Sequence, residues 1–335
     1  MDRKQIENLL NNCSLPDSCQ RAELKETHIS WIILTDHYAF KIKRPVGFSF
    51  LDFTSLEKRK FFCKEELRLN RRLAPDMYQE VISITRNMLE QTEDQQEEVI
   101  DYAVKMKRMD SRMEMSKLLR EDKVTEKQVD RLAKKTADFH RKEEPIKNAF
   151  RTIEFQENYE DIQSLASFAA EQIGGECKHI IRWATKKSWD YLNNSRSLLN
   201  ERIISGFHKD CHGDLNSRNI LLYDDPVIFD CIEFNKNFRQ IDVLNDIAFL
   251  AVDFDFFGRK ELGELFYKKY LNFSNTEEQP ATRELFNFYK SYRANVRVKV
   301  SLLAAQKKGE GKNQDELHEA LKYLHLMERY LENIE

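Results

Sequence analysis

The chain has 335 residues, and its 54 lysines and arginines nearly balance its 57 aspartates and glutamates, so that the net charge is −3. This balance gives no reason to expect nucleic acid or an anionic membrane surface as the main partner. A hydrophobic share of 41% is enough for a packed core, and only 9 glycines and 6 prolines argue against a disordered composition.

Signals for export and for metal or disulfide frameworks are missing from the sequence. No apolar run approaches the ~20 residues that a membrane-spanning helix needs, and residues 1–15 lack the apolar segment of a secretion signal. The 6 cysteines are scattered without a Cys-x-x-Cys pair, so we expect neither a zinc site nor a disulfide framework. These features predict a cytoplasmic protein.

The first hundred residues are rich in strand signals. Two β-branched and aromatic runs, His28–Leu34 and Tyr38–Lys43, flank a turn and predict a β-hairpin. Thr54–Ala74 follows with helical spacing, and Thr54 with Glu57 three residues later predicts a capping box. Two more strands are predicted at Val81–Thr85 and Val99–Met106.

Helical periodicity dominates from about residue 110 onward. Helices are predicted over Lys127–Arg141, Tyr159–Gln172, His179–Glu201, Gly263–Tyr270, Arg283–Ala305 and Gln314–Glu332. In this part, only Asn219–Tyr223 and Val227–Ile232 have the pattern of strands. We therefore expect an α+β protein with two lobes, a small β-rich lobe over residues 1–107 and a larger helical lobe over residues 108–335.

The strongest chemical signal is the run from His212-Gly213-Asp214 to Asn219, followed by a strand–turn–strand that ends at Asp230. Phosphoryl transfer needs a carboxylate that orients the attacking hydroxyl and accepts its proton. It also needs oxygen ligands for the magnesium ion that neutralises phosphate charge. Asp214 fits the first requirement, and Asn219 with Asp230 fits the second. A carboxylate at the end of an apolar strand is otherwise uncommon.

This pattern resembles the H-G-D-L-x-x-x-N…D signature of the aminoglycoside phosphotransferase and choline kinase group, which has the protein-kinase-like fold. The likeness covers most of the chain and looks like that of an uncharacterised bacterial branch. It extends to Glu26–Trp31, Lys41–Val46, Leu69–Pro75 and Asp246–Leu250. Some relatives carry a further P-loop domain, but no G-x-x-x-x-G-K-[ST] motif occurs in this sequence.

The resemblance also implies a lysine that binds the nucleotide phosphates and a glutamate that holds it. Lys41 and Lys43 share one face of their strand. Ala39-x-Lys41 matches the end of the V-A-I-K pattern, so Lys41 is the preferred candidate and Lys43 the alternative. Glu66 lies on the inward stripe of the following helix, where an ionised carboxylate needs a partner.

The sequence departs from the protein-kinase pattern in two places. No G-x-G-x-x-G precedes the hairpin, so we expect Thr27 and Ser30 to cover the phosphates instead. After Asp230, Cys231-Ile232-Glu233 replaces Phe-Gly. Glu233 is then either an auxiliary metal or water ligand or an acceptor for backbone amides. The adenine of ATP is expected beside Met106, in the segment 104–108.

Four further residues have expected supporting or substrate-binding roles. His212 is expected to brace the loop, and Asp246, which lies among apolar residues, must accept hydrogen bonds if it is buried. Arg293 and Arg297 stand one helical turn apart between two apolar stripes. They either pair with carboxylates of the core or hold a carboxylate or phosphate group of the acceptor.

The resemblance implies a phosphotransferase that uses ATP and Mg²⁺, with Asp214 as catalytic base and a small-molecule hydroxyl as acceptor. The implied partners are a nucleotide and that small molecule, with no nucleic acid and no membrane. Two alternatives remain open. One is a catalytically degenerate kinase-like module that binds a nucleotide and regulates another protein. The other is a protein-modifying kinase, which is disfavoured because the glycine loop and an Ala-Pro-Glu segment are missing.

Overall fold

The structure, a computed structural model, describes residues 1–18, 22–48, 50–91, 98–147, 152–309 and 311–334. Internal packing divides the chain into two units. Unit 1 comprises Met1–Glu114 and Val227–Phe238, and unit 2 comprises Met115–Pro226 and Arg239–Glu335. Unit 1 therefore includes a late segment of the chain, which places Asp230 in the same unit as Lys41.

Unit 1 is built on a five-stranded antiparallel sheet with three helices. In chain order its strands are β1 (Glu23–Glu26), β2 (Ser30–Leu34), β3 (Tyr38–Lys43), β4 (Gly47–Phe48), β5 (Leu51–Asp52), β6 (Tyr78–Thr85) and β7 (Val99–Lys107). The helices are α1 (Arg3–Asn12), α2 (Leu56–Asn70) and α3 (Arg86–Glu90). The sheet has the order β1-β2-β3-β7-β6, and β4 pairs with β5 in a separate hairpin.

The central strand β3 is buried on both faces, and its side chains alternate between two different surroundings. Phe40 and Ile42 pack in an apolar cluster with Ile6 and Leu9 of α1. Because neighbouring residues of a strand point to opposite faces, Ala39, Lys41 and Lys43 lie on the other side; there Ala39 packs with Cys63 of α2. The alternation thus directs two lysines toward the helix that carries Glu66.

The start of α2 differs from the prediction. Ser55 caps the helix, and its side chain accepts a hydrogen bond from the Lys58 nitrogen at 3.2 Å. Thr54 instead donates its hydroxyl to Asp52 at 2.6 Å. The predicted Thr54–Glu57 capping box is therefore wrong, because Asp52 accepts hydrogen bonds from both the nitrogen and the hydroxyl of Thr54 and holds it in the preceding turn, so that the helix begins one residue later.

Unit 2 is mainly helical. Its helices, in chain order, are α4 (Met115–Arg120), α5 (Glu126–Lys142), α6 (Thr152–Glu160), α7 (Ala166–Gln172), α8 (Glu176–Asn194) and α9 (Arg196–Ile204). The short helix α10 (Lys236–Arg239) lies in unit 1 except for Arg239. The helices of unit 2 continue with α11 (Val243–Phe256), α12 (Lys260–Phe273), α13 (Pro280–Lys308) and α14 (Gln314–Glu332). The short strands are β8 (His208–Asp210), β9 (Ile220–Leu221), β10 (Val227–Ile228, in unit 1) and β11 (Gln240–Asp242), and β8 pairs with β11.

Two predicted helices of this unit are interrupted, and two others, α4 and α11, were not predicted. A 3₁₀ turn at Asp161–Leu165 separates α6 from α7, and Ser195 separates α8 from α9. Apolar residues continue on both sides of these breaks, so periodicity alone does not reveal them. Nearly every residue of α11 is buried, so it lacks the apolar and polar faces that identify a surface helix. Within the described ranges, no helix combines the length and the apolar character needed to cross a bilayer.

Candidate functional site

In unit 2, a loop between β8 and the 3₁₀ helix Ser217–Asn219 carries Asp214. Gly213 has a φ of +84°, a left-handed conformation that glycine adopts without a Cβ clash. Asp214 is half-buried, and the Asn219 side-chain amide donates to its Oδ2 at 2.8 Å and to its carbonyl oxygen at 3.0 Å. Both bonds use the Asn219 nitrogen, so its Oδ1 oxygen is the atom suited to a cation. The structure brings these two predicted residues together.

Asp246, on α11, is fully buried and fixes the backbone of this loop. Its Oδ1 accepts a hydrogen bond from the Gly213 nitrogen at 2.8 Å, and its Oδ2 accepts one from the His212 nitrogen at 3.2 Å. Burial alone would raise the pKa of Asp246, but the hydrogen bond from His140 and the surrounding positive charge lower it to about 2. The carboxylate is therefore ionised near neutral pH and contacts loop backbone. His212 itself accepts a hydrogen bond on Nδ1 from the Asp214 nitrogen at 3.2 Å.

Two supporting residues were missed by sequence reasoning. His140 places Nε2 at 3.0 Å from Asp246 and Nδ1 at 2.8 Å from the Tyr270 hydroxyl. Asp253 accepts hydrogen bonds from the Ser217 nitrogen at 2.7 Å and from its hydroxyl at 2.6 Å. Asp253 lies two helical turns after Asp246 on the same face of α11. An aspartate recurring at this spacing inside an apolar segment was a usable signal.

His140, Cys211 and Asp246 bring one possible metal-ligand atom each to within 4.8 Å of one another. The Asp246 oxygens already accept two backbone hydrogen bonds, and both ring nitrogens of His140 lie within hydrogen-bond distance of protein oxygens. A metal ion at this position would have to displace those contacts. In this structure the group is part of the support of the loop.

Arg293 and Arg297, both on α13, contact protein oxygens. Arg293 donates to the carbonyl oxygens of Asn245 and Gly213, each at 3.1 Å. Arg297 donates from Nη2 to both carboxylate oxygens of Asp253 at 3.3 Å. Arg297 therefore has the carboxylate partner of the first alternative, whereas Arg293 binds backbone carbonyl oxygens. The expected role of the two arginines as a clamp for an acidic acceptor receives no support, because both guanidinium groups already bind the segments that hold the loop.

In unit 1, Lys41 lies between two carboxylates. Its Nζ is 2.8 Å from Glu66 Oε1 and 2.6 Å from Asp230 Oδ1. Glu66 is fully buried, whereas the Asp230 side chain is 42% exposed. Burial alone would lower the pKa of Lys41, but Asp230 and Glu66 outweigh it and raise the pKa well above its ordinary value. The predicted phosphate-binding lysine, its glutamate and one predicted metal ligand are thus in contact.

The backbone around Asp230 is held in an unusual conformation. Asp230 has a φ of +64°, in the left-handed region that few residues other than glycine adopt. Its nitrogen donates to the Tyr78 hydroxyl at 3.3 Å, and the Cys231 nitrogen donates to Asn70 Oδ1 at 2.8 Å. Strained conformations of this kind persist where surrounding contacts fix them, and they occur frequently at functional sites.

Lys43 and Glu233 form a second buried pair in the same unit. The Lys43 ammonium contacts Glu66 Oε2 at 2.7 Å and also contacts Glu233 Oε1. Neither side chain is appreciably exposed. Glu233 thus binds a lysine, a contact that neither of the two expected roles anticipated. Lys43, the alternative phosphate-binding lysine, lies deeper than Lys41, and its ion pairs within the described part of the chain are with Glu66 and Glu233 and not with Asp230.

The remaining predicted nucleotide contacts lie on the sheet of unit 1. Thr27 accepts a hydrogen bond on its hydroxyl from the Ser30 nitrogen at 2.9 Å and thereby closes the turn between β1 and β2. The Ser30 hydroxyl is buried opposite Lys43 in the β2–β3 pair and has no hydrogen-bond partner within the part of the chain that the structure describes. Met106 is buried on β7, opposite Ala39. Their roles toward a nucleotide stay predictions.

Sequence comparison finds relatives without an assigned activity. Proteins of Mycobacterium bovis and Mycobacterium tuberculosis, both described as uncharacterized, are 31% identical over 287 residues, which is 83% of this chain. The chain spans 54% of the length of these relatives. No protein-family model matches the sequence.

Structural comparison gives a more informative result. The choline kinase of Cryptosporidium parvum Iowa II superposes with a TM-score of 0.56 at 12% identity, over 98% of this chain and 94% of that one. The GDP complex of wild-type aminoglycoside 2′-phosphotransferase-IIIa gives 0.54 at 16% identity, over 98% and 99%. The GDP and kanamycin complex of APH(2″)-IIIa gives 0.52 at 15% identity, over 97% and 98%. The antiparallel sheet of unit 1 and the helices of unit 2 therefore form the protein-kinase-like α+β fold of the aminoglycoside phosphotransferases and choline kinases, as the sequence motifs predicted.

Proposed function

We propose that this chain is a phosphotransferase that uses Mg²⁺ and a purine nucleoside triphosphate, ATP in the first instance, and transfers the γ-phosphate to a hydroxyl group of a small molecule. In this proposal Asp214 orients the acceptor hydroxyl and accepts its proton, and Lys41 binds the phosphates while Glu66 holds it. The reaction would take place in the cytoplasm, where the nucleotide is available.

One observation carries most of the proposal, namely the contact of Lys41 with both Glu66 and Asp230. A buried lysine between two carboxylates is already neutralised, so it needs no further ligand for stability alone. Asp230, however, is 42% exposed and strained at φ +64°, an arrangement that a purely structural ion pair does not require. The same arrangement suits a carboxylate that exchanges its lysine for a metal ion when a nucleotide binds.

The residues present fit magnesium. Mg²⁺ prefers carboxylate and amide oxygens and keeps several waters, and Asp230 and the Oδ1 oxygen of Asn219 are donors of this type. Magnesium would supply charge neutralisation on the transferring phosphate. Residues of the chain would position the acceptor and accept its proton. Asp214, aligned by Asn219 at 2.8 Å, would hold the attacking hydroxyl and its proton.

The relatives bear on the nucleotide and the acceptor. Two of the similar structures are described as GDP complexes, one of them with kanamycin, and another is a choline kinase. We therefore include GTP beside ATP as a candidate donor, and polyols and amino alcohols as candidate acceptors. Because Arg293 and Arg297 are engaged by protein oxygens, a neutral or cationic acceptor is favoured over an acidic one.

The proposal is tested in two stages. Calorimetry with ATP and with GTP, each with and without Mg²⁺, measures nucleotide binding, and a bound nucleotide at about 100 times its Kd should stabilise the fold by ~2.7 kcal/mol. Transfer is then measured by mass spectrometry of phosphorylated products from pools of hydroxyl compounds.

Asp214→Asn is the matched control, since it should bind the nucleotide but form no product. Absence of Mg²⁺-dependent nucleotide binding in the parent would refute the proposal. Binding without transfer to any acceptor, small molecule or protein, would instead favour the degenerate regulatory module.

A further inference from the structure

The two lysines of β3 share one carboxylate. Glu66 binds Lys41 through Oε1 at 2.8 Å and Lys43 through Oε2 at 2.7 Å. Each lysine also contacts a second carboxylate from the segment that begins at Asp230: Lys41 contacts Asp230 and Lys43 contacts Glu233. Three carboxylates and two ammonium groups therefore alternate in one continuous row of ion pairs, in the order Asp230, Lys41, Glu66, Lys43, Glu233.

Because Glu66 contacts both lysines, Lys41 and Lys43 compete for its carboxylate. A carboxylate that faces two ammonium groups moves toward the one that lacks another partner, because the unpaired charge gains most from it in a buried environment. Glu233 supplies that other partner to Lys43. While Glu233 is in place, the second oxygen of Glu66 satisfies Lys43, and the first remains directed at Lys41.

We propose that Glu233 and Lys43 are positioning residues, which keep Glu66 directed at Lys41 and fix the Asp230 segment against α2. This inference rests on the proposed function, and it assigns roles to two residues that the proposed reaction does not itself use. Fixation of the segment has independent support, since Cys231 donates its nitrogen to Asn70 of α2 at 2.8 Å.

The charge states agree with this arrangement. Burial would raise the pKa of Glu66, but Lys41 and Lys43 lower it to about 2, so Glu66 stays ionised between its two partners. Burial raises the pKa of Glu233 despite its contact with Lys43.

A purely structural role and a positioning role predict different results for a double substitution. Glu233→Gln removes the second carboxylate of Lys43 and leaves Glu66 as its one carboxylate partner among the described residues. Glu66 should then be drawn from Lys41, and the affinity for Mg²⁺ and ATP should fall roughly tenfold, as is typical for residues that orient a ligand-binding group. Lys43→Met in the same chain removes the competitor. The double variant K43M/E233Q should therefore regain affinity to within about threefold of the parent.

The control is another buried ion pair of the same unit. Asp101 contacts Arg59 at 2.8 Å and does not contact Glu66 among the described ion pairs. Asp101→Asn should lower the melting temperature without changing nucleotide affinity. Nucleotide affinity measured well below the melting temperature then separates positioning from general destabilisation. If Glu233→Gln binds as the parent does, or if the double variant is no better than Glu233→Gln, the proposal is wrong.

A second measurement needs no nucleotide. In protein labelled with ¹⁵N at the lysine side chains, the Lys41 ammonium resonance is assigned by its loss in Lys41→Met. It should shift in Glu233→Gln and return toward the parent position in K43M/E233Q, and no shift in Glu233→Gln would overturn the proposal. If the parent binds no nucleotide, the proposed function fails, yet this spectrum still decides the role of Glu233. Should Glu233→Gln not fold, Glu233→Asp, which withdraws the carboxylate by one methylene, must shift the same resonance.

Discussion

Replacement of Asp246 by asparagine removes a charge on α11 that holds the backbone of the Asp214 loop. The carboxylate is fully buried and accepts hydrogen bonds from Gly213, His212 and His140 at 2.8, 3.2 and 3.0 Å. Asparagine retains one acceptor oxygen, but its amide hydrogens would face one of these donors. We expect the free energy of unfolding at pH 7 to fall by about 3 kcal/mol, because a buried donor loses its partner and the remaining hydrogen bonds lose their charged acceptor.

The pH dependence of the unfolding free energy gives a second value for the contribution of Asp246. The folded-state pKa of Asp246 is about 2 against an ordinary value of 3.8, so the ionised form contributes on the order of 2 kcal/mol to stability. A pKa lowered by folding stabilises the protein above the unfolded value and loses that contribution as the pH falls through the folded value. The difference between parent and Asp246→Asn should therefore be fully present above pH 4 and shrink as the pH falls toward 2.

Urea denaturation monitored by circular dichroism across this pH range measures both figures. Asp138→Asn, on α5 of the same unit, is the control, because Asp138 is partly exposed and forms surface pairs with Lys134 and Arg141. It should cost less than about 1 kcal/mol. If Asp246→Asn is as stable as the parent at pH 7, or if the difference grows on acidification, the supporting role assigned to Asp246 is incorrect.

Three further substitutions test the other assignments. Asp214→Asn should reduce kcat at least ~100-fold while the Kd for the nucleotide, measured by calorimetry, stays within about threefold, since only hydroxyl orientation and proton acceptance are lost; a large change in Kd would argue against a purely catalytic role. Lys41→Met should weaken binding of Mg²⁺ and ATP at least tenfold. Lys105→Met removes an ion pair with the exposed Glu80 on the same sheet and should leave the nucleotide affinity unchanged. Equal losses in both variants would indicate a general effect of charge. Asp253→Asn should lower the unfolding free energy by about 2 kcal/mol, because the amide keeps one acceptor oxygen for Ser217 but loses the charge that pairs with Arg297; thermal melting of this variant at parent level would contradict that.

The parts of the site that could be predicted depend on short-range geometry. The five-residue interval from Asp214 to Asn219 is short enough for their side chains to meet within one turn. The face shared by Lys41 and Lys43 follows from the two-residue period of a strand. The burial of Glu66 follows in the same way from the helical period of α2. In each case the sequence interval and the element type determine the outcome.

The sequence did not indicate which residues pair when they lie far apart along the chain. Arg297 and Asp253 lie 44 positions apart, and His140 and Asp246 lie 106 apart. The pattern on α13 required some carboxylate or anion for Arg297, but it contained no information on which one. The same limit applies to the start of α2, where Ser55 and Thr54 are equally suitable caps until the position of Asp52 is known.

The position of Lys43 on β3 requires a nearby carboxylate, but the sequence pattern does not identify which one. A central strand buried on both faces cannot keep two ammonium groups on one face unless carboxylates accompany them. Along the nearby chain, α2 offers Glu66 on its inward face, and one carboxylate is insufficient for two lysines that each need a close partner. Further acids were therefore required, and the distant segment that begins at Asp230 supplies one for each lysine: Asp230 contacts Lys41, and Glu233, 190 positions away, contacts Lys43. The glutamate that follows Asp230 by three residues has a physical explanation in the Lys-x-Lys of β3, because a buried Lys43 and a buried Glu233 are each costly without the other.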